Sequence, residues 1–233
     1  MNRLVVLLLL VLPLLGFSQD QTVDSLSLDD RYREDQFYVG VTYNLLGNKP
    51  KDLSQNGFSS GFNVGFIRDM PINKRRNVAI GIGLGYSGNS FNQNMLINKD
   101  EAGNVSFSII DEEATSFSKN KFAFHMVELP FEIRWRTSTA EKYNFWRIYT
   151  GLKVGYVFAH STKFKGDLGK LKYNDIENFN ELQYGLTFSV GYNTWNAHFY
   201  YALNPIFENA YLENTGERID MKAVKIGVMF YIL

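Results

Sequence analysis

VELPFEIRWR (residues 127–136) and FWRIYTGLKVGYVF (residues 145–158) decide the fold. In the first, Val127, Leu129, Phe131, Ile133 and Trp135 share one face, and Glu128, Pro130, Glu132, Arg134 and Arg136 share the other. In the second, Trp146, Ile148, Thr150, Leu152, Val154, Tyr156 and Phe158 alternate with Arg147, Tyr149, Gly151, Lys153 and Gly155. Period two is the mark of a strand. Both runs outlast the roughly five or six residues of a soluble strand and match the roughly nine to eleven of a tilted strand that crosses a bilayer. An apolar, aromatic-rich face opposite a face of charge and glycine reads as lipid outside and a polar lumen inside.

Working outward from this hairpin, six more alternating segments appear. The first, near Gln36 to Leu45, points Phe37, Val39, Val41, Tyr43 and Leu45 one way. The second, near Ser59 to Arg68, sets Phe62, Val64 and Phe66 against Gly61, Asn63 and Gly65. The third alternates Val78, Ile80, Ile82, Leu84 and Tyr86 with Ala79, Gly81, Gly83, Gly85 and Ser87. Beyond the hairpin, residues 182–193, 196–204 and 224–232 repeat the pattern. The expectation is an all-β protein: an eight-stranded, antiparallel, up-and-down transmembrane β-barrel. The GIGLG glycines are not a phosphate loop, since no helix start and no Lys-Ser/Thr follow them. They make room in a narrow lumen instead.

The links alternate between long and short, as in outer-membrane barrels with short periplasmic turns and long external loops. An even strand count then puts both termini in the periplasm. Trp135 and Trp146 flank one short turn and Trp195 lies in another, so all three are expected in an aromatic girdle at the periplasmic interface. Pro130 cannot donate to a ladder and a closed barrel has no edge for it, so a β-bulge or a local break is expected there.

Residues 1–18 read as a signal peptide with Arg3 in the basic region, an apolar run from Leu4 to Leu12 and a small-residue site at Gly16-Phe17-Ser18. Residues 19–35 form a polar, acidic periplasmic segment, and residues 36–233 the barrel. Net charge is zero, which gives no electrostatic case for nucleic acid. Mean hydropathy is −0.20; this excludes a bundle of membrane helices but not a barrel, where only alternate residues face lipid. With no cysteine in the chain, disulfides, thiol catalysis and cysteine-ligated metals are excluded, and no residue can carry a lipoprotein acyl anchor.

The inward charges are Glu128, Glu132, Arg134, Arg147, Lys153 and Lys225. Folding the hairpin about its middle sets Glu128 opposite Lys153 and Glu132 near Tyr149 and Arg147, though a slip of two residues keeps the same faces. Buried charge must be paired, so a structural network filling the lumen is expected. Glu128 and Glu132, four apart on one strand face, are about 13 Å apart, too far for glycosidase work. The three histidines, His125, His160 and His198, show no metal-ligand pattern, and no cofactor and no small-molecule substrate are expected. A Ser-His pair at the outer rim would require His125 to meet Ser116, Ser118 or Ser161. The loop from Asn92 to Asn120, with Phe107-Ser108-Ile109-Ile110 and the acidic run Asp111-Glu112-Glu113, is either a solvated loop or a partner-binding one.

The strand at Leu129-Pro130, the stretch from Arg134 to Tyr156, and GYNTWNAHFYYALNPIF (residues 191–207) resemble the PorT family (SprT in gliding bacteria) within the PorT-like outer-membrane barrels. PorT proteins belong to the type IX secretion system of the Bacteroidota. The resemblance implies a non-enzymatic role in protein secretion, with gliding motility as a further possibility, through contacts with other envelope proteins of that system and with outer-membrane lipid. The alternatives are a small barrel acting as adhesin or envelope stabiliser, and a lipid-modifying outer-membrane enzyme.

Overall fold

The computed structural model describes residues 35–137 and 145–232. The stretch expected to be a signal peptide, nearly all of the polar segment after it and most of the link between the two deciding runs lie outside the described residues. Eleven strands occur: β1 (Gln36–Gly47), β2 (Ser60–Pro71), β3 (Val78–Asn92), β4 (Met95–Lys99), β5 (Val105–Ile109), β6 (Phe117–Arg136), β7 (Trp146–Gly166), β8 (Gly169–Asn174), β9 (Leu182–Tyr192), β10 (Trp195–Ala202) and β11 (Lys222–Ile232). Eight of them close a barrel in the order β6-β3-β2-β1-β11-β10-β9-β7, with β6 pairing β7. Every pairing is antiparallel and joins strands that follow one another around the wall, apart from the closing β1–β11 pair. The protein is therefore an all-β, eight-stranded, antiparallel closed barrel.

Alternation sets the two faces. Phe37, Phe62, Leu84, Ile133, Trp146, Leu186 and Ile232 are among the large apolar side chains exposed on the outward face. Tyr38, Asn63, Asp69, Glu128, Arg134, Tyr149, Lys153, His198 and Lys225 are buried on the inward one. Closing a wall of only eight strands leaves little interior, and glycine decides where bulky groups fit. Tyr38, Gly65, Gly85 and Glu128 form one cross-strand row. The Tyr38 ring covers both glycines: a Cβ on Gly85 would fall 1.9 Å from the Tyr38 Oη.

β6 and β7 run far past the other strands, to 20 and 21 residues. Phe158 is an extra residue there: His125 pairs Ala159, whereas Met126 pairs Val157. This bulge reverses the phase of β7. Below it, even-numbered residues face out; above it, Lys163 and Lys165 do. Pro130 itself sits in register opposite Lys153, so no bulge occurs at it. The local break is on its other side: the β3–β6 ladder stops after Ile82–Phe131 and resumes at Gly85–Glu128 in the same register.

The mouth at the long-loop end is closed by the chain's own loops. Leu53, Met95, Ile97, Phe107, Ile176, Ile206, Phe207, Leu212 and Ile219 from the long connections pack on Phe91, Phe122, Phe124 and Val157 of the extended strands. Phe122, Phe124, Phe179 and Phe207 meet in edge-to-face pairs with centroids 5.3–6.5 Å apart. The apolar patch in the loop from Asn92 to Asn120 is thus core rather than partner surface: Phe107 and Ile110 are buried, and β4 pairs β5 across it.

Candidate functional site

The lumen below the plug holds two polar layers. The lower one centres on Arg134, projected inward from β6 two residues beyond Glu132. Its Nε donates to Glu132 Oε2 at 3.0 Å, Nη1 to Asp69 Oδ1 at 3.1 Å and Nη2 to Gln36 Oε1 at 3.0 Å. The guanidinium lies 4.3 Å from the Tyr149 ring and 5.6 Å from that of Tyr231. Arg136 Nη1 shares the same Asp69 oxygen at 2.8 Å. Two arginines and two carboxylates balance here, and the fork geometry of Arg suits such a site. Arg147 stands at the rim, donating to the Asn193 carbonyl at 2.6 Å beside the Phe145 ring.

The upper layer is short of negative charge. Lys153 Nζ and Glu128 Oε2 are 2.9 Å apart. Lys225 lies 4.8 Å from the Tyr200 ring and 5.9 Å from that of Phe124. Ser189 Oγ and His198 Nδ1 are 2.7 Å apart and buried. One carboxylate acts on both lysines.

The register corrects one expectation. Glu128 pairs Gly155, and Lys153 pairs Pro130, which is the slip of two residues left open by face parity. Lys153 still reaches Glu128 diagonally, because a lysine stem spans the offset between neighbouring rows. Glu132 pairs Gly151 and bonds Arg134 on its own strand, while Tyr149 stands opposite Arg134 and Arg147 opposite Arg136. The sequence reading missed Asp69 and Gln36. Strand parity carried one step beyond Arg68 puts Asp69 on the face of Gly61, Asn63 and Gly65.

A space of about 10 Å³ among these groups is bordered by Tyr38, Ile67, Glu132, Lys153, His198 and Tyr231. That holds about one water molecule. The apolar plug above it and the buried side chains around it occupy the described lumen. The expected result in a planar bilayer is the absence of stepwise ionic current from the purified chain, and resolved single-channel steps would contradict the closed lumen.

His125, at the long-loop end of the apolar wall, meets Tyr86 Oη through Nδ1 at 2.6 Å. The Ser189–His198 pair lies inside the wall instead of at the rim. Among the described residues, no group of three or more His, Asp or Glu is placed to hold a metal ion. Trp135, Trp146 and Trp195 all face outward at the short-turn end. Trp146 packs on Tyr192 with centroids 5.5 Å apart, and Trp195 on Phe230 at 4.6 Å.

His160 lies above the Phe158 bulge, outside the apolar band. It stacks on Phe179 with centroids 4.6 Å apart, and its Nδ1 accepts from the Ile176 amide at 3.3 Å. Burial lowers its pKa below the ordinary imidazole value, against weaker opposing pulls from Asp175 and Glu181. The folded plug therefore favours the neutral ring. This stabilisation is complete above the unfolded value of about 6.5 and is lost as pH falls through the depressed folded value. The protection of the Ile176 amide, taken relative to its intrinsic exchange rate at each pH, is expected to fall on acidification to about pH 5, with that of the barrel ladders unchanged. The same protection at neutral and acid pH would show that His160 does not brace this loop.

A family model described as an outer membrane protein beta-barrel domain matches residues 17–208. No curated protein matches the chain.

Proposed function

The chain belongs to the outer membrane protein beta-barrel domain family, and from that premise we propose that it is a closed, non-enzymatic barrel that acts through protein contacts in type IX secretion. The observation that carries the reading is the plug. A lumen filled by ion pairs and sealed by about a dozen loop side chains cannot serve transport, but it makes a rigid base for the surfaces around its mouth. The assignment to secretion rests on the likeness of Leu129-Pro130, residues 134–156 and residues 191–207 to PorT.

In this reading the charges Glu128, Glu132, Arg134, Arg147, Lys153 and Lys225 hold the wall closed. The termini lie in the periplasm and the long loops outside the cell. Trp135, Trp146 and Trp195 gathered at the short-turn end support that orientation, since Trp favours the membrane interface. The partners are outer-membrane lipid along the wall and envelope proteins of the secretion machinery at one rim.

The test is deletion of the gene followed by proteomics of the culture medium and periplasm. Cargo of type IX secretion should leave the medium and accumulate in the periplasm. If secretion continues unchanged, the secretion role fails, and a barrel acting as adhesin or envelope stabiliser through its external loops takes its place.

A further inference from the structure

The outward face of β6, β7 and β8 above the bulge carries two rows of lysine. Lys119 pairs Lys165, which pairs Lys170; Lys121 pairs Lys163, which pairs Lys172. The inward neighbours Phe122, Phe124 and Phe164 pack toward the plug, so the six lysines share the opposite, outer face. Like charges directly across a sheet destabilise it. Among the described residues, none of the six has a carboxylate at ion-pair distance; the nearby Asp167 in the β7–β8 turn accepts from the Ser116 amide at 2.8 Å.

The height of this patch matters. From Trp135 to His125 the strand rises about 33 Å, which a tilt of about 40° turns into roughly 25 Å along the barrel axis. That is about the height of the apolar band of an outer-membrane barrel. Lys121 and Lys119 then stand about 10–15 Å farther out, within reach of the headgroup layer for stems that can bend back toward it. Continuous with the patch, an outward groove of about 810 Å³ crosses the wall from β7 to β11, lined by Tyr86, Gly88, Ser90, Lys121, His125 and Lys163 among others. Gly88, paired with Phe62 on one side and His125 on the other, leaves its floor low. Lys121 Nζ reaches Ser90 Oγ across it at 3.2 Å.

We propose that this face binds the phosphorylated headgroup of an outer-leaflet glycolipid, its phosphates on the lysine rows and an acyl chain along the groove. The occupant follows from charge complementarity and position: an anion is required, and it must sit where the apolar wall ends. Lysine suits this task as a mobile point charge that meets phosphate without fixed geometry. The inference rests on the orientation given above, with the long loops outside the cell.

The test uses the full chain in zwitterionic detergent, titrated with diphosphoryl lipid A or with its dephosphorylated form. The parent is expected to bind the phosphorylated lipid at least about tenfold more tightly than the dephosphorylated one, as several lysines near an anionic surface require. The variant combining Lys121→Gln, Lys163→Gln and Lys165→Gln should lose that preference, yet melt no lower than the parent without lipid, because repulsion is relieved. Equal binding of the two lipids, an unchanged preference in the variant, full competition by inorganic phosphate, or tighter binding of an acidic peptide would overturn the proposal. Because the chain has no cysteine, Leu168→Cys in the β7–β8 turn reports orientation separately in intact cells. Failure to label it with an impermeant maleimide overturns the orientation and this inference together; labelling without lipid binding overturns the inference alone.

Discussion

Glu128→Gln is expected to destabilise the barrel by about 3–5 kcal/mol, the cost of removing one partner from a buried charge pair. The lumen makes this position more sensitive than the lower layer. Arg134 donates to Glu132, Asp69 and Gln36, so losing one acceptor leaves it with others. Lys153 and Lys225 depend on a single carboxylate. Glutamine keeps the shape and removes the charge, leaving two ammonium groups without that counter-charge, Lys153 beside a space too small for its hydration. Adding Lys153→Met to this background should recover part of the loss, since one of the two stranded cations is gone and an apolar side chain of similar length replaces it. Urea titration of the folded barrel in detergent, followed by heat-dependent gel mobility, measures both. An unchanged midpoint for Glu128→Gln would show that water or counterions already screen the layer.

Gly151→Ala is expected to cost about 3 kcal/mol, at the upper end of overpacking effects. A Cβ there would fall 1.9 Å from the Phe131 carbonyl oxygen and 2.8 Å from Glu132 Cα. Both are backbone atoms of the neighbouring strand, so no side chain can turn aside. The wall must open between β6 and β7, in the row that positions Glu132 for Arg134. Gly47→Ala is the matched control: its nearest neighbour is the Val224 Cγ2 at 3.5 Å, ordinary contact, and the change should stay within about 0.5 kcal/mol. The two urea midpoints compared under one condition decide the matter; similar values would mean that the wall yields without loss.

The barrel was legible because its main signal, apolar alternation, is written on every strand. Leu182 to Tyr192 reads the same in sequence and structure. What period two cannot encode is a shift of two residues, and that is where the register of Glu128 and Lys153 went astray. Nor does it announce a change of phase. The Phe158 bulge reverses β7, so Lys163 and Lys165 join Lys119 and Lys121 on one face, a grouping invisible to a count that stops at Phe158. Asp69 lies outside the alternating run that ends at Arg68 in the sequence, whereas the strand continues through Met70 and Pro71 in the structure. The plug was hidden for another reason. Its apolar residues are scattered through loops without periodicity, and only the closed wall brings Leu53, Phe107, Ile176 and Phe207 together.

That plug also imposes an order on assembly. Its side chains come from connections that begin near Leu53 and end near Met221, and the contact of Phe107 with Phe207 closes a loop of about a hundred residues. Such distant contacts form slowly, because the chain entropy between them must be lost before they contribute. The wall, zipped strand by strand between sequence neighbours, has no such delay except at its final seam. The barrel is therefore expected to pass through a stage with its walls complete and its crown still loose.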